Sequence, residues 1–283
     1  MTFIAAAALG VFFCSCKEIN PPSPACTKCS AVTSFSDAAV NDSVHESLNV
    51  PDSCQICSVF IPRVASLTIN TSANSLNDIT KLTSLQTLII NNNTLSGFPQ
   101  GITTLPIANL SFGATVLGDF SGVTTLPSLN TLQFTGCIII NPTSLYNASK
   151  LSRLVVSGCT LGIPTKDTAL DWLNGMNWLL YVDVSNNGLQ NINYAASLGA
   201  AATFIAAHNS IVSITALASM QSVKYVDLSY NSITDISPLV TNANTAGNGL
   251  STGGYIDLRN NPLSPASIAS IAGLQAKNIT VLY

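Results

Sequence analysis

One unit recurs along most of this chain, and no other feature limits its fold so tightly. The template is L-x-x-L-x-L-x-x-N, with L standing for any apolar residue. It fits VASLTINTS (64–72), LQTLIINNN (85–93), IANLSFGAT (107–115), LNTLQFTGC (129–137) and LSRLVVSGC (151–159). It continues through LLYVDVSNN (179–187), ATFIAAHN (202–209), VKYVDLSYN (223–231) and GGYIDLRNN (253–261). The ninth places fall at 72, 93, 115, 137, 159, 187, 209, 231 and 261, a spacing of 21 or 22 broken only by steps of 28 and 30. A repeat of about 20–50 residues marks a solenoid, because each unit is too small to bury its apolar face alone and must stack on its neighbours.

The template also states what each unit does. Alternation of apolar and other residues in L-x-L is the period-two pattern of a strand with one face buried. Each strand can pair only with the same strand of the next unit, giving a parallel sheet with strands about 4.8 Å apart. Directly afterwards the chain must turn, and the buried turn leaves backbone groups without partners. An inward amide carries both a donor and an acceptor for them. This predicts a ladder of Asn93, Asn187, Asn209, Asn231 and Asn261, with Ser72, Thr115, Cys137 and Cys159 in the remaining ninth places. Leaving one such buried group unpaired costs about 1–3 kcal/mol. Cys137 and Cys159 sit at equivalent places in adjacent units, about 5 Å apart, within disulfide range. The plainer reading is two small buried thiols that fill the ladder.

The nine units resemble leucine-rich repeats, and among these the short-repeat class of bacterial internalins. NSITDISPLV (231–240) looks like the convex segment of that class, and NPLSPASIASIAGLQAKNITVLY (261–283) like a C-terminal cap of bacterial members. The resemblance implies an α/β solenoid, a right-handed curved superhelix. Its parallel sheet lies on the concave face, with irregular and 3-10 segments on the convex one. It also implies that cysteine is tolerated in the ladder. The expected organisation is an export signal over 1–15, a linker and cysteine-bearing N-terminal cap over 16–63, nine repeats over 64–261 and a C-terminal cap over 262–283. Two connections exceed the period. DTALDWLNGM, within 160–180, fits a short amphipathic helix; 237–254, rich in Gly, Asn, Thr and Ser, reads as a mobile loop.

Thr2 to Phe13 forms an apolar run too short to span a bilayer and of the right length for the core of an export signal. A buried helix is the bland alternative. No Lys or Arg precedes the run, as one would in a typical signal. The run, Ser15, Cys16 and the polar KEIN resemble the lipobox of bacterial lipoproteins, which implies lipidation of Cys16; plain secretion with nearby cleavage is the other reading. Between this segment and the repeats stand CTKC, with Cys26 and Cys29, and CQIC, with Cys54 and Cys57. Paired C-x-x-C can hold zinc, but an exported chain favours disulfides that staple the cap. Both readings stay open here, with bonds joining the two motifs preferred.

Only 8% of residues are charged, about a third of the usual share, and the net charge is −3. Such a surface gives nucleic acid no basic footprint. Exposed strand positions of the early units are mostly small and polar. Later ones repeat a Tyr-x-Asp pair: Tyr181 and Asp183, Tyr225 and Asp227, Tyr255 and Asp257, with Arg259 alongside and His208 and Tyr230 at the strand ends. Tyrosine and arginine anchor interfaces well, so these nine residues are the expected contact surface for a protein ligand. A glycan or cell-wall polymer is the alternative ligand, because hydroxyls and ring faces also suit sugars. Asp and Tyr in such strands can equally be structural. No nucleophile elbow, phosphate loop or H-E-x-x-H occurs, and no cofactor motif; the aspartates would lie on an open, solvated face, poor ground for acid–base chemistry. The chain therefore reads as a binding protein, anchored to a membrane only through its N-terminus, and as a monomer.

Overall fold

The structure, a computed structural model, describes residues 29–98, 101–119, 121–161 and 170–283. The strands are β1 (Ser66–Ile69), β2 (Thr87–Asn91), β3 (Thr94–Gly97), β4 (Asn109–Gly113) and β5 (Val116–Asp119). They continue as β6 (Thr131–Thr135), β7 (Ile138–Asn141), β8 (Arg153–Ser157), β9 (Thr160–Leu161) and β10 (Tyr181–Asp183). The last are β11 (Thr203–Ile205), β12 (Tyr225–Asp227), β13 (Gly254–Asp257) and β14 (Ile279–Leu282). Among the described residues three α-helices accompany them: α1 (Ala38–Leu48), α2 (Ser237–Asn244) and α3 (Pro265–Gln275).

Ten strands form one sheet in the order β1-β2-β4-β6-β8-β10-β11-β12-β13-β14, every pairing parallel. Equivalent template places lie side by side, so that Leu88, Leu110, Leu132 and Leu154 form one continuous row. All four are fully buried or nearly so. One place further along, Phe112 stacks on Phe134 with ring centres 5.6 Å apart. The other walls of the coils are mostly 3-10 turns, such as Asn193–Ser197 and Thr215–Ser219. These are wider than a strand, so the stack bends with the ten-stranded sheet on its inner, concave wall.

Asn231 shows what holds a coil shut. Its side-chain nitrogen donates to the carbonyls of Ala206, Leu228 and Ser229 at 2.9, 3.0 and 3.3 Å, and its oxygen accepts from the Ile211 N–H at 3.0 Å. Asn209 and Asn261 make the same set of bonds one coil before and after, and Asn187 bridges Val156, Val184 and Cys159. Asn93 receives the Ala73 N–H and donates to Thr71. Thr115 meets part of the same need, its hydroxyl donating to the Gly113 and Ile90 carbonyls. Ser72 departs from the ladder. It is exposed, and Ala73 turns inward instead.

Several elements differ from the sequence-based expectation. A second parallel sheet, β3-β5-β7-β9, follows the turn in four successive coils. Among the described residues of 160–180, only a 3-10 turn at Asp171–Leu173 is helical. Residues 237–254 hold α2 and a further 3-10 turn rather than a mobile loop. The reason lies in Asn242. This amide is wholly buried and donates to the Leu217 and Met220 carbonyls of the preceding coil, tying the polar segment down.

Both ends are closed. At the N-terminal side α1 lays Val40 and Val44, both fully buried, against β1. Its N-cap Asp37 accepts from Val40 in the helix and from Asn74 and Ser75 in the first coil, fixing cap to stack. A disulfide joins Cys29 to Cys57 with Cα atoms 5.2 Å apart, so one bond does link the two C-x-x-C motifs. Cys54 is disulfide-bonded as well, and Cys26 lies outside the described residues. At the other end β14 extends the sheet and α3 covers the last coil with Ile271 and Leu274.

Two outcomes follow. Asn231→Leu should destabilise the protein by about 3 kcal/mol in denaturant titration, since several buried backbone groups lose their partner at once. Asp78 is the second case: hydrogen bonds from Lys81 and then Ser36 hold its carboxyl down at about 2. A depressed carboxylate stabilises the fold above its unfolded pKa and stops doing so as pH falls through the folded value. Asp78→Asn should therefore cost about 1 kcal/mol at neutral pH, after allowing for solvent screening, and the difference should fade as pH falls from about 4 to about 2.

Candidate functional site

The open face of the ten-stranded sheet is built by strand register. In its C-terminal half one row runs Arg153, Tyr181, Thr203, Tyr225, Tyr255 and Thr280. The row two residues on runs Val155, Asp183, Ile205, Asp227, Asp257 and Leu282. Aromatic side chains in the first row meet face to face because neighbouring strands are a ring's stacking distance apart. Tyr225 and Tyr255 stack at 4.9 Å with planes 7° apart, and the Arg153 guanidinium lies 3.4 Å above the Tyr181 ring. Tyr225 remains 38% exposed. Burial of the hydroxyl, then the nearby Asp227 and Tyr255, raises its pKa, so it stays a hydrogen-bond donor at neutral pH.

The three aspartates differ in what they have left to offer. Asp183 and Asp227 each accept, on one oxygen, the N–H two residues on, from Ser185 and Ser229 at 3.0 Å; Ser229 adds its hydroxyl to Asp227. Asp257 is 3% exposed and is taken up by Arg259, whose Nη2 is 2.6 Å away. Arg259 itself stays largely in solvent. In the N-terminal half the face is polar and uncharged, with Asn91 donating to Asn70 and Asn109 to Thr87.

The residue before each ladder place is left-handed. Asn92, Ala114, Gly136, Gly158, Asn186, His208, Tyr230 and Asn260 all have φ between 45° and 63°. Glycine and asparagine suit that geometry; a bulky ring does not, and holding one there costs about 1–2 kcal/mol. The solenoid accepts that at two adjacent coils, where His208 and Tyr230 stack at 4.1 Å and Tyr230 stays 50% exposed. Non-glycine residues held in sparse backbone regions cluster at functional sites.

Of the nine residues expected at the contact surface, Tyr181, Asp183, Tyr225, Asp227, Tyr255 and Asp257 share two rows of one face. Arg259 stands beside Asp257, and His208 and Tyr230 form a separate pair at the turn. Arg153 belongs with them and was missed. Its signal was the register itself, since it holds the same template place as Tyr181 one unit earlier. Cys137 and Cys159 are free, buried thiols; Cys137 donates to the Phe112 carbonyl at 3.2 Å. The Cys137 thiol beside it, with burial, pushes the Cys159 thiol up and keeps it protonated. Cys16 and the apolar run lie outside the described residues. Among the described residues no helix is long and apolar enough to cross a membrane, and no His, Cys, Asp and Glu cluster fits a metal ion.

No protein-family model matches the chain, and no curated protein matches it by sequence. Solved structures do. Internalin C2 of Listeria monocytogenes aligns with a TM-score of 0.54 at 23% identity, covering 81% of this chain and 93% of its own. The fold is a leucine-rich repeat solenoid. Human 5T4, the trophoblast glycoprotein, aligns with a TM-score of 0.59 at 15% identity, covering 78% of this chain and 85% of its own. TLR13, solved with the RNA ssRNA13, aligns with a TM-score of 0.52 at 23% identity, covering 72% of this chain and 29% of its own.

Tyr230 contributes little to the solenoid's stability, because relief of its backbone strain offsets the lost stacking. Tyr230→Asn should shift the unfolding free energy by less than about 1 kcal/mol, whereas changing its neighbour Asn231 costs several times that. Parallel urea titrations of the two variants test the contrast.

Proposed function

We propose that this chain is an exported cell-envelope or surface protein that binds another protein through the C-terminal half of its concave sheet. One observation carries the reading: Tyr181, Tyr225 and Tyr255 share a single row on an open face, with carboxylates and Arg259 beside them. Rings of this kind bury much area with little loss of rotamer freedom, and the surrounding charges give register. Nucleic acid fits poorly, because three carboxylates along the face would oppose a phosphate backbone. Glycan is the weaker alternative. Sugars dock on free ring faces, and here Tyr255 covers one face of Tyr225 and Arg153 one face of Tyr181, which reduces the ring area on offer. The cap disulfide suits an oxidising compartment, which supports export.

Lipidation of Cys16 belongs to the same proposal and would leave the binding face tethered at the cell envelope. Mass spectrometry of the mature N-terminus should find an acylated Cys16, and Cys16→Ser should leave the precursor uncleaved. An unmodified N-terminus elsewhere overturns the anchor. For the binding face, candidate protein partners from intact cells should be captured by the wild-type chain and lost at least tenfold with Tyr225→Ala/Tyr255→Ala, circular dichroism staying unchanged. Equal capture by both chains, or selective retention on a glycan array, goes against the protein-binding reading.

A further inference from the structure

The tyrosine row has a missing layer. Reading along it, a guanidinium covers Tyr181 on one side, and Tyr255 covers Tyr225 on the other. Between Tyr181 and Tyr225 stands Thr203, paired to both and too short to fill the space at ring height. Two strand spacings separate the tyrosines, about 9.6 Å. A planar group midway would sit about 4.8 Å from each ring, matching the 4.9 Å at which Tyr225 and Tyr255 already stack.

The flank of this gap is acidic. Asp183 and Asp227 stand on either side of Ile205 in the adjoining row. Each spends its Oδ1 on the turn that follows, and the second oxygen, Oδ2, accepts no hydrogen bond among the described residues. Asp257, by contrast, is already matched by Arg259. A group that is flat, cationic and rich in N–H donors satisfies all of these features at once. A lysine ammonium lacks the plane, and a neutral ring would leave both carboxylates facing it without donors. The molecule contains its own precedent, since Arg153 lies flat on Tyr181 from the far side.

We propose that the space above Thr203 is an arginine slot, in which a guanidinium from the protein partner completes the stack between Tyr181 and Tyr225 beside Asp183 and Asp227. The inference rests on the protein-binding reading and specifies its partner: a protein that presents an exposed arginine.

The test uses fluorescently labelled octa-arginine and octa-lysine with the full 283-residue chain, followed by anisotropy at physiological salt. The wild type should bind octa-arginine about tenfold more tightly than octa-lysine, the difference expected of planar stacking over point charge. Thr203→Phe and, independently, Thr203→Leu should fill the slot and erase that preference with circular dichroism unchanged, while Thr203→Ser keeps it. Equal binding of the two peptides by the wild type overturns the slot, as does a preference that survives both filling substitutions. If the preference is absent and Tyr225→Ala/Tyr255→Ala still loses its partner, only the slot falls and the binding face stands.

Discussion

Five coils of this protein close on one inward amide, and Thr115, Cys137 and Cys159 hold the same place in three others. The Asn231 side chain satisfies carbonyls and an N–H from three segments that no strand or helix could serve, and Asn187, Asn209 and Asn261 act alike in neighbouring coils. Without it the tight turn would bury unpaired backbone, and the strand before the turn could not hold register with the next. The register then decides the rest. It lines up leucines and phenylalanines inside, and tyrosines and aspartates outside, from one pattern read twice.

Most of this was legible because the constraint is periodic. A spacing of 22 sets strand, turn and pairing partner together, so the core rows and the ladder could be read directly. The exceptions have physical causes. Ser72 follows the template in sequence but not in space, where Ala73 takes the inward place. The segment 237–254 has loop composition, yet Asn242 finds buried carbonyls in the previous coil and a helix forms. Such a bond depends on which coil lies next to the segment, and composition carries no record of that. The second sheet was also hidden, because TLSG, VLGD, IIIN and TL share no obvious pattern.

The candidate face was legible by residue type and less so by geometry. Repeated Tyr-x-Asp pairs point to one surface, but not to which rings are covered. Arg153 reads as an ordinary polar strand residue until Tyr181 is placed against it. Nor does the sequence announce that His208 and Tyr230 occupy a left-handed place, although the Asn and Gly of the other coils at that position are the trace of it. Asp257, which resembles its two counterparts in sequence, is set apart by Arg259.

The second sheet has a mechanical corollary. Across β3, β5, β7 and β9 the coils are zipped to one another along two walls instead of one, over a distance of about 15 Å. Gly118 marks how close that zip is, since even a methyl group there would meet the Ser96 carbonyl oxygen. Hydrogen bonds on two sides resist flexing and shear that a single seam would permit. The first half of the molecule is thus braced by a continuous second sheet. Among the described residues of the later coils, that second seam thins to a lone bridge at Asn191 and Ser213 and isolated bonds such as Ser232 N–H to the Ile211 carbonyl.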